Sequence, residues 1–285
     1  NHFAVMLAAL LKSIEVNHRS RLAIDIYIIE DEMTDTNKAK IISTVNDPIL
    51  SLHWLKMADV VDKTKLPLDA STFPLNVYTR LFIPHFLPVS CIKAIYLDVD
   101  MIVRTDLSEL WNVDLEDKII AGVPDRAPLV STGWAGISNY EALELAPETT
   151  YYNSGLLVID LVKWRNSNLT QEIIDCIIKN KRFASFPDQY GLNVVFANRW
   201  RKLDSRWNTY SSSNDPEPLI IHFIGRKPIF SSYDKNMEYK NEFFSYLSLT
   251  SFSSFKPLKE YMRFSKKLYN MIEKKMKTLF KSQQL

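Results

Sequence analysis

AIYLDVDMIV, residues Ala94–Val103, is the stretch on which the fold reading turns. Ile95, Tyr96, Leu97, Val99, Met101, Ile102 and Val103 give it the composition of a buried β-strand. Yet Asp98 and Asp100 interrupt its C-terminal half. A buried carboxylate without a partner is heavily destabilising. In an open α/β sheet, ligands bind beyond the carboxyl ends of the strands, and there these aspartates should emerge. They share strand parity, so both side chains can face one way. Adjacent carboxylates repel unless something positive lies between them. A hard divalent cation, Mg2+ or Mn2+, meets that need, because it prefers oxygen ligands and can also hold phosphate oxygens. On these residues alone a second reading stands beside the first: one Asp caps a loop and the other makes a surface ion pair.

Working outward, the pattern alternates strands and helices. Phe3–Val16 reads as a buried helix. Its run FAVMLAALLKSI lacks a basic lead and a small-residue cleavage site, and Lys12 breaks it, so it does not read as a signal peptide. Leu22–Asp31 alternates like a strand, and Thr34 caps a helix expected to run to about Val45. ILSLHWLKM is a second strand, and residues 74–87 predict a helix ending near Pro84. After the aspartate strand come DKIIAGVPD and YYNSGLLVIDL, both strands. Thr170 heads a helix with Ile173, Ile174, Ile177 and Ile178 on one face; Asp188–Ala197 is a further helix, and PLIIHFIG a late strand. This order implies an α/β layered fold with a largely parallel sheet. With six glycines and neither a G-x-G-x-x-G nor a P-loop, dinucleotide and Walker-type phosphate cradles are excluded.

The formal net charge of +2 gives no reason to expect a nucleic-acid partner. Two cysteines, Cys91 and Cys176, make no disulfide framework and suit a reducing compartment, hence the cytoplasm. No apolar run reaches membrane-spanning length. The neutral total hides a polarity: from Lys256 onward there are nine cations against two acids, so the remainder is net acidic. Leu258, Tyr261, Met262, Leu268, Tyr269, Ile272, Met276, Leu279 and Phe280 recur there at near-helical spacing. Such a basic amphipathic helix either holds the protein peripherally at the inner face of the membrane or packs on the domain or a partner.

YLDVDMIVRTDLSELW (Tyr96–Trp111) resembles the donor-site strand of glycosyltransferase family 8. So do VYTRLFIPHFLP (Val77–Pro88), YYNSGLLVIDLVKW (Tyr151–Trp164), FPDQYGLNVVF (Phe186–Phe196) and IIHFIGRKPI (Ile220–Ile229), in family order and spacing. The resemblance implies a GT-A, Rossmann-like nucleotide-sugar-binding domain over residues 1–232, and the turn to aromatic and then basic composition after about residue 233 sets off a small helical C-terminal extension over 233–285. It implies retaining transfer of a hexose, galactose or glucose, from a UDP-sugar to a glycan, glycolipid or glycoprotein, with Mn2+ (or Mg2+) as cofactor. Asp98, Asp100 and His222 match the metal ligands, and Val99 lies within the same donor-binding motif. Gly225 and Lys227 match the diphosphate-binding part of the late motif, and Arg80 an arginine over the donor site. Asn153, Ser154, Asp188 and Gln189 match residues around the donor sugar, with catalytic roles implied for Gln189, Asp188 and Asn153. Each keeps a plainer reading: Arg80 as an ion-pair partner, His222 as a core histidine, Asn153 as a turn residue, Asp188 as a helix cap. Asp106 reads as a turn cap, and Trp111 and Trp164 as core.

Two departures stand out. The family has an extra residue between Gly and Lys and a Trp after Lys-Pro, so here the phosphate contact falls to Lys227, Arg226 or both. The family also begins with a strand and an aspartate-bearing loop at the nucleotide base; Asn1-His2-Phe3 matches the end of that loop, which implies a further strand upstream. A nucleotide-sugar hydrolase or phosphotransferase, and a non-catalytic nucleotide-sugar-binding protein, remain as alternatives. Residues 60–76 and 125–150 are the candidate acceptor loops.

Overall fold

The computed structural model describes residues 3–62, 66, 75–215 and 217–259. The expected basic helix beyond Lys259, most of the 60–76 loop and Asn1-His2 lie outside the described residues. In chain order the elements are α1 (Phe3–Asn17), β1 (Ile24–Glu30), α2 (Asp35–Ile42), β2 (Leu50–Lys56), α3 (Met57–Val60), a 3-10 helix (Leu75–Phe82) and α4 (Ile83–Phe86). Then follow β3 (Lys93–Leu97), β4 (Met101–Val103), α5 (Leu107–Trp111), β5 (Ile120–Leu129), β6 (Thr150–Asp160), α6 (Leu161–Arg165), α7 (Leu169–Lys179) and α8 (Pro187–Val195). The described chain closes with β7 (Arg201–Lys202), a 3-10 turn (Ser205–Asn208), β8 (Thr209–Tyr210), β9 (Ile220–His222) and α9 (Met237–Ser248).

The strands form a parallel β1–β2 pair, a sheet in the order β3-β6-β5-β7, and a sheet in the order β4-β9-β8. β3–β6, β5–β6 and β4–β9 are antiparallel, while β5–β7 and β8–β9 are parallel. A largely parallel sheet is therefore not what forms. The expectation treats every intervening helix as a crossover, which takes a dozen or more residues. The helices flanking β3 and β4, α4 and α5, are single turns that cannot carry the chain across a sheet face.

The aspartate stretch is not one strand. β3 pairs with β6 through Leu97, and the Asp98 N–H still donates to Gly155 O at 2.8 Å. From Met101 the chain pairs instead with β9, and the Phe223 N–H donates to Asp100 O at 2.8 Å. Asp98, Val99 and Asp100 occupy the crossing between two sheets, which is why an apolar strand can carry two acids.

α1 is buried on every side from Ala4 to Ile14, as a helix apolar all round must be. It lies between two apolar clusters. One holds Ile221, Phe223 and, from α9, Tyr239, Phe243 and Leu247; the other holds Met101, Val103 and Leu156. Lys12 does not break the run: it is buried and paired with Glu15, whose carboxylate accepts the Asn46 and Asp47 N–H groups. A third cluster packs Tyr152, Leu157 and Ile159 of β6 on α6, α7 and α8.

Several local expectations shift. Thr34 does cap α2, accepting from the Asn37 N–H, but the helix stops at Ile42. Pro84 does not end a helix; it sits in the first turn of α4, where its missing N–H costs nothing. α7 starts at Leu169, and the buried Thr170 hydroxyl donates to Leu81 O at 3.0 Å while accepting from Trp164 Nε1 at 3.0 Å. Trp164 is core, but Trp111 is 41% exposed at the end of the single-turn α5. Arg165, at the end of α6, spreads its guanidinium over five carbonyls: Pro84, Leu87, Pro88, Val89 and Cys91, at 2.7–3.3 Å.

Candidate active site

At the sheet crossing, ligand atoms of Asp98, Asp100 and His222 all lie within 4.8 Å of one another. His222 ends β9, and its Nε2 stands 3.4 Å from Asp100 Oδ1 and 3.9 Å from Asp98 Oδ2. Val99, between the acids, is exposed. Gly155 of β6 keeps the space open. A Cβ there would fall 2.6 Å from His222 Cε1, 2.8 Å from Asp98 Oδ2 and 2.9 Å from Asn153 Oδ1. Two carboxylates and an imidazole nitrogen around a cradle that one methyl would fill suit a small divalent cation.

Charge supports the same fit. Asp98, Asp100 and Asp188 face two fixed cations, Arg80 and Lys227. Arg80 is 7% exposed on the 3-10 helix Leu75–Phe82. Its Nη1 donates to Ser154 O at 2.6 Å and Ser154 Oγ at 2.7 Å, and its Nη2 to Asp98 Oδ1 at 3.0 Å. Its Nε is 3.2 Å from Asp188 Oδ2 without pointing a hydrogen at it, so that contact is an ion pair only. Tyr96 stacks under the guanidinium, 4.7 Å from ring centroid to Cζ, and its hydroxyl donates to Asp98 Oδ1 at 2.6 Å. Burial disfavours the Arg80 charge, but Asp98, Tyr96 and Asp188 together hold it more firmly protonated than a free arginine. Burial pushes the Asp188 carboxyl up, against the pull of Arg80. Burial also opposes the Asp100 charge, yet His222 and Lys227 prevail and hold that carboxyl well below its ordinary range.

Lys227 and Arg226 diverge. Lys227 Nζ contacts Asp100 and Phe223 O, facing the crossing, whereas Arg226 turns to Asp234 and Ser232 O. Gly225 has φ +71°, a left-handed turn that brings Lys227 back over the site.

Asn153, Ser154 and Gln189 meet on the β6 side. Gln189 Oε1 accepts from the Ser154 N–H at 3.1 Å and from Asn153 Nδ2 at 3.3 Å. Asp188 is not the N-cap of α8, which is Phe186: it lies in the first turn, buried against Arg80, with Ser154 Oγ at 3.2 Å and the Gln189 N–H as donors. The structure thus gathers Arg80, Asp98, Asp100, Asn153, Ser154, Asp188, Gln189, His222 and Lys227.

Three members escape the sequence reading. Asp125 Oδ2 accepts from Asn153 Nδ2 at 2.9 Å and Gln189 Nε2 at 3.1 Å. Its signal was an acid after Pro124 at the end of an apolar strand run. Tyr96 passes for an ordinary strand aromatic. Asn208 Oδ1 meets His222 Nδ1 at 2.9 Å, and nothing in its surrounding pattern marks it. Two shallow surface hollows flank the Arg104–Glu242 ion pair, and neither shares a lining residue with this cluster.

The model of Glycosyl transferase family 8 matches residues 1–229. The chain belongs to glycosyltransferase family 8. Among curated relatives of this family 8 chain, General stress protein A of Bacillus subtilis is 24% identical over 276 residues, covering 89% of this chain and 92% of the relative. Lipopolysaccharide 1,2-glucosyltransferase of Escherichia coli is 27% identical over 230 residues, covering 75% and 66%. Among solved structures, the WbbM bifunctional glycosyltransferase superposes with TM-score 0.74 at 23% identity, over 88% of this chain and 48% of that one. Galactosyltransferase LgtC, solved with donor and acceptor sugar analogues, gives TM-score 0.71 at 21% identity, over 88% and 93%. The fold is GT-A, as the motifs implied.

Proposed function

We propose that this family 8 glycosyltransferase is metal-dependent and retaining, and moves a hexose, galactose or glucose, from a UDP-sugar to a glycan-bearing acceptor. One observation carries the reading: the Asp98–Asp100–His222 cradle, kept open by Gly155. Asp98, Asp100 and His222 would hold Mn2+ or Mg2+. When bound, the ion neutralises diphosphate charge as the nucleotide leaves. Lys227, aimed by the Gly225 turn, adds a charge-assisted contact to the same phosphates. Arg80 serves from below: it fixes Asp98 and Asp188 so that both can be aimed without repelling each other.

Gln189 and Asn153 offer amide groups already oriented by Asp125 and Ser154, the preorganisation that stabilises charge developing at a sugar carbon. Asp188 is buried and committed to Arg80, a poor placement for a nucleophile. This favours attack from the face the leaving group departs, over double displacement. Beside the site Arg126 lies between Trp134 and Tyr210, at 5.6 and 5.5 Å from the ring centroids. Trp134 is 64% exposed, an aromatic face of the kind that stacks on sugar rings, and it supports a glycan acceptor.

A donor screen with Mn2+, measuring released nucleotide with and without sugar acceptors, tests the proposal. Acceptor-dependent glycoside with retained anomeric configuration supports it. Free sugar and nucleotide would mean a hydrolase, and binding without release a non-catalytic protein. No helix among the described residues is long and apolar enough to cross a membrane. Peripheral attachment through the basic tail is tested by co-sedimentation with anionic vesicles, comparing the full chain with one ending near Phe255.

A further inference from the structure

Asn208 closes the 3-10 turn Ser205–Asn208 and is almost wholly buried. We infer that it is a positioning residue. Through Asn208 and Asn153, the carboxylate of Asp125 sets which ring nitrogen of His222 is offered to a divalent cation. The inference rests on the metal-site reading above and joins it to the sugar side of the site.

The polarity of successive hydrogen bonds carries the argument. Asp125 Oδ2 receives N–H groups from both Asn153 and Gln189. That turns the Asn153 amide so that its oxygen faces away, where it accepts from Asn208 Nδ2 at 3.0 Å and from the Gly155 N–H at 3.0 Å. Asn208 has then committed its nitrogen, and its oxygen is left to face His222 Nδ1 at 2.9 Å. An amide oxygen only accepts, so Nδ1 carries the hydrogen, and in the neutral ring it is Nε2 that offers the lone pair. Nε2 is the atom that stands beside Asp100 and Asp98. Flipping Asn208 would set its oxygen against the Asn153 oxygen, whose own orientation is fixed by Asp125 and the Gly155 N–H. Flipping Asn153 would break its bonds to Asp125, Gly155 and Asn208 together. The amides act as a relay, with a carboxylate at the sugar end fixing the tautomer at the metal end. Partners of this kind orient metal-binding histidines, and their loss typically lowers metal affinity about 10–100-fold.

The test uses full-length protein labelled with 15N-histidine. Long-range 1H–15N correlation, recorded without metal or donor, reads the His222 tautomer, and calorimetry with Mn2+ reads affinity. Wild type should show the Nδ1–H form. Asn208→Ala should move the ring toward the Nε2–H form and weaken Mn2+ binding about 10–100-fold. Asn208→Asp keeps an oxygen for His222 but loses the donor to Asn153. It should therefore hold the tautomer and the Mn2+ affinity while kcat falls and the donor KM changes little. This variant carries the test should Asn208→Ala fail to fold. Unchanged tautomer and affinity in Asn208→Ala, or an Asn208→Asp protein that loses Mn2+ as fully as the Ala variant, would overturn the relay. Wild-type protein that binds no Mn2+ at all would instead overturn the metal reading, a result the metal-free tautomer measurement keeps separate.

Discussion

Two kinds of aspartate stand within nine residues of each other. Asp106 is held by the backbone: it accepts from the Arg19, Ser20 and Ser108 N–H groups and from the Ser20 hydroxyl. Asp98 and Asp100 are held by side chains from distant parts of the chain, namely Arg80, Tyr96, His222 and Lys227. Backbone donors cannot rearrange without unfolding the loop that carries them, so Asp106 is satisfied once and permanently. Side-chain donors can, and the crossing gathers three carboxylates around two fixed cations. The first aspartate closes a corner of the fold; the other two sit at a place that is electrostatically incomplete by construction.

Substitution should separate the two kinds. Asp98→Asn and Asp100→Asn should each cut turnover by at least about a hundredfold. Asp98→Asn should leave the melting temperature unchanged or raised, since it removes an excess charge. Full turnover in EDTA, or a sharp loss of stability in Asp98→Asn, would erase the distinction. Gly155→Ala should come next, lowering Mn2+ affinity by about tenfold or more, because its Cβ crowds His222 and Asp98. Calorimetry on the folded variant reads this. Gln189→Ala should lower kcat by about tenfold while UDP affinity holds, the signature of a contact that strengthens in the transition state. Lost UDP affinity with unchanged kcat would place Gln189 elsewhere in the reaction.

Asp106→Asn should do the reverse. Its amide nitrogen would face the Arg19 and Ser20 N–H groups, losing those hydrogen bonds at about 1 kcal/mol, or about 2–4 °C in Tm. Activity per folded molecule should not change. The smallest effect lies in its pH dependence. Burial opposes the Asp106 charge, but the Ser108 and Ser20 donors outweigh it and hold its carboxyl well below the usual range. A depressed folded pKa stabilises above the unfolded value of about 3.9, and that contribution is lost as pH falls through the folded value. The gap in stability between wild type and Asp106→Asn should therefore be constant near neutrality and narrow only below about pH 4. A gap that changes between pH 6 and 8 would assign the stabilisation to another group.

What could be read from the chain follows the same division. Strand positions were visible because β6 and β9 are rich in apolar residues, Asp98 and Asp100 because acids break an apolar run, and His222 only through the family motif around it. Strand direction was not, since it depends on whether a connection is long enough to cross a sheet, and α4 and α5 are single turns. Nor was the crossing itself, because Leu97 and Met101 look alike in sequence while pairing with different strands. Asp125 and Asn208 stayed hidden because their roles come from partners 28 and 14 residues away, and a lone Asp in β5 or Asn in a 3-10 turn carries no periodicity.

The guanidinium of Arg165 has a consequence in time. It caps carbonyls in the segment from Pro84 to Cys91, 74 to 81 residues earlier in the chain. At about 5–20 residues per second, a ribosome releases that segment some 4–15 s before the residue that caps it. Through that interval the stretch leading into β3 lacks those contacts, with Pro88 O met locally by the Cys91 N–H, and Pro84 and Pro88 narrow the conformations it can wander through. When Arg165 emerges, one side chain gathers five waiting oxygens, and the strand that delivers Asp98 to the crossing acquires its fixed starting point.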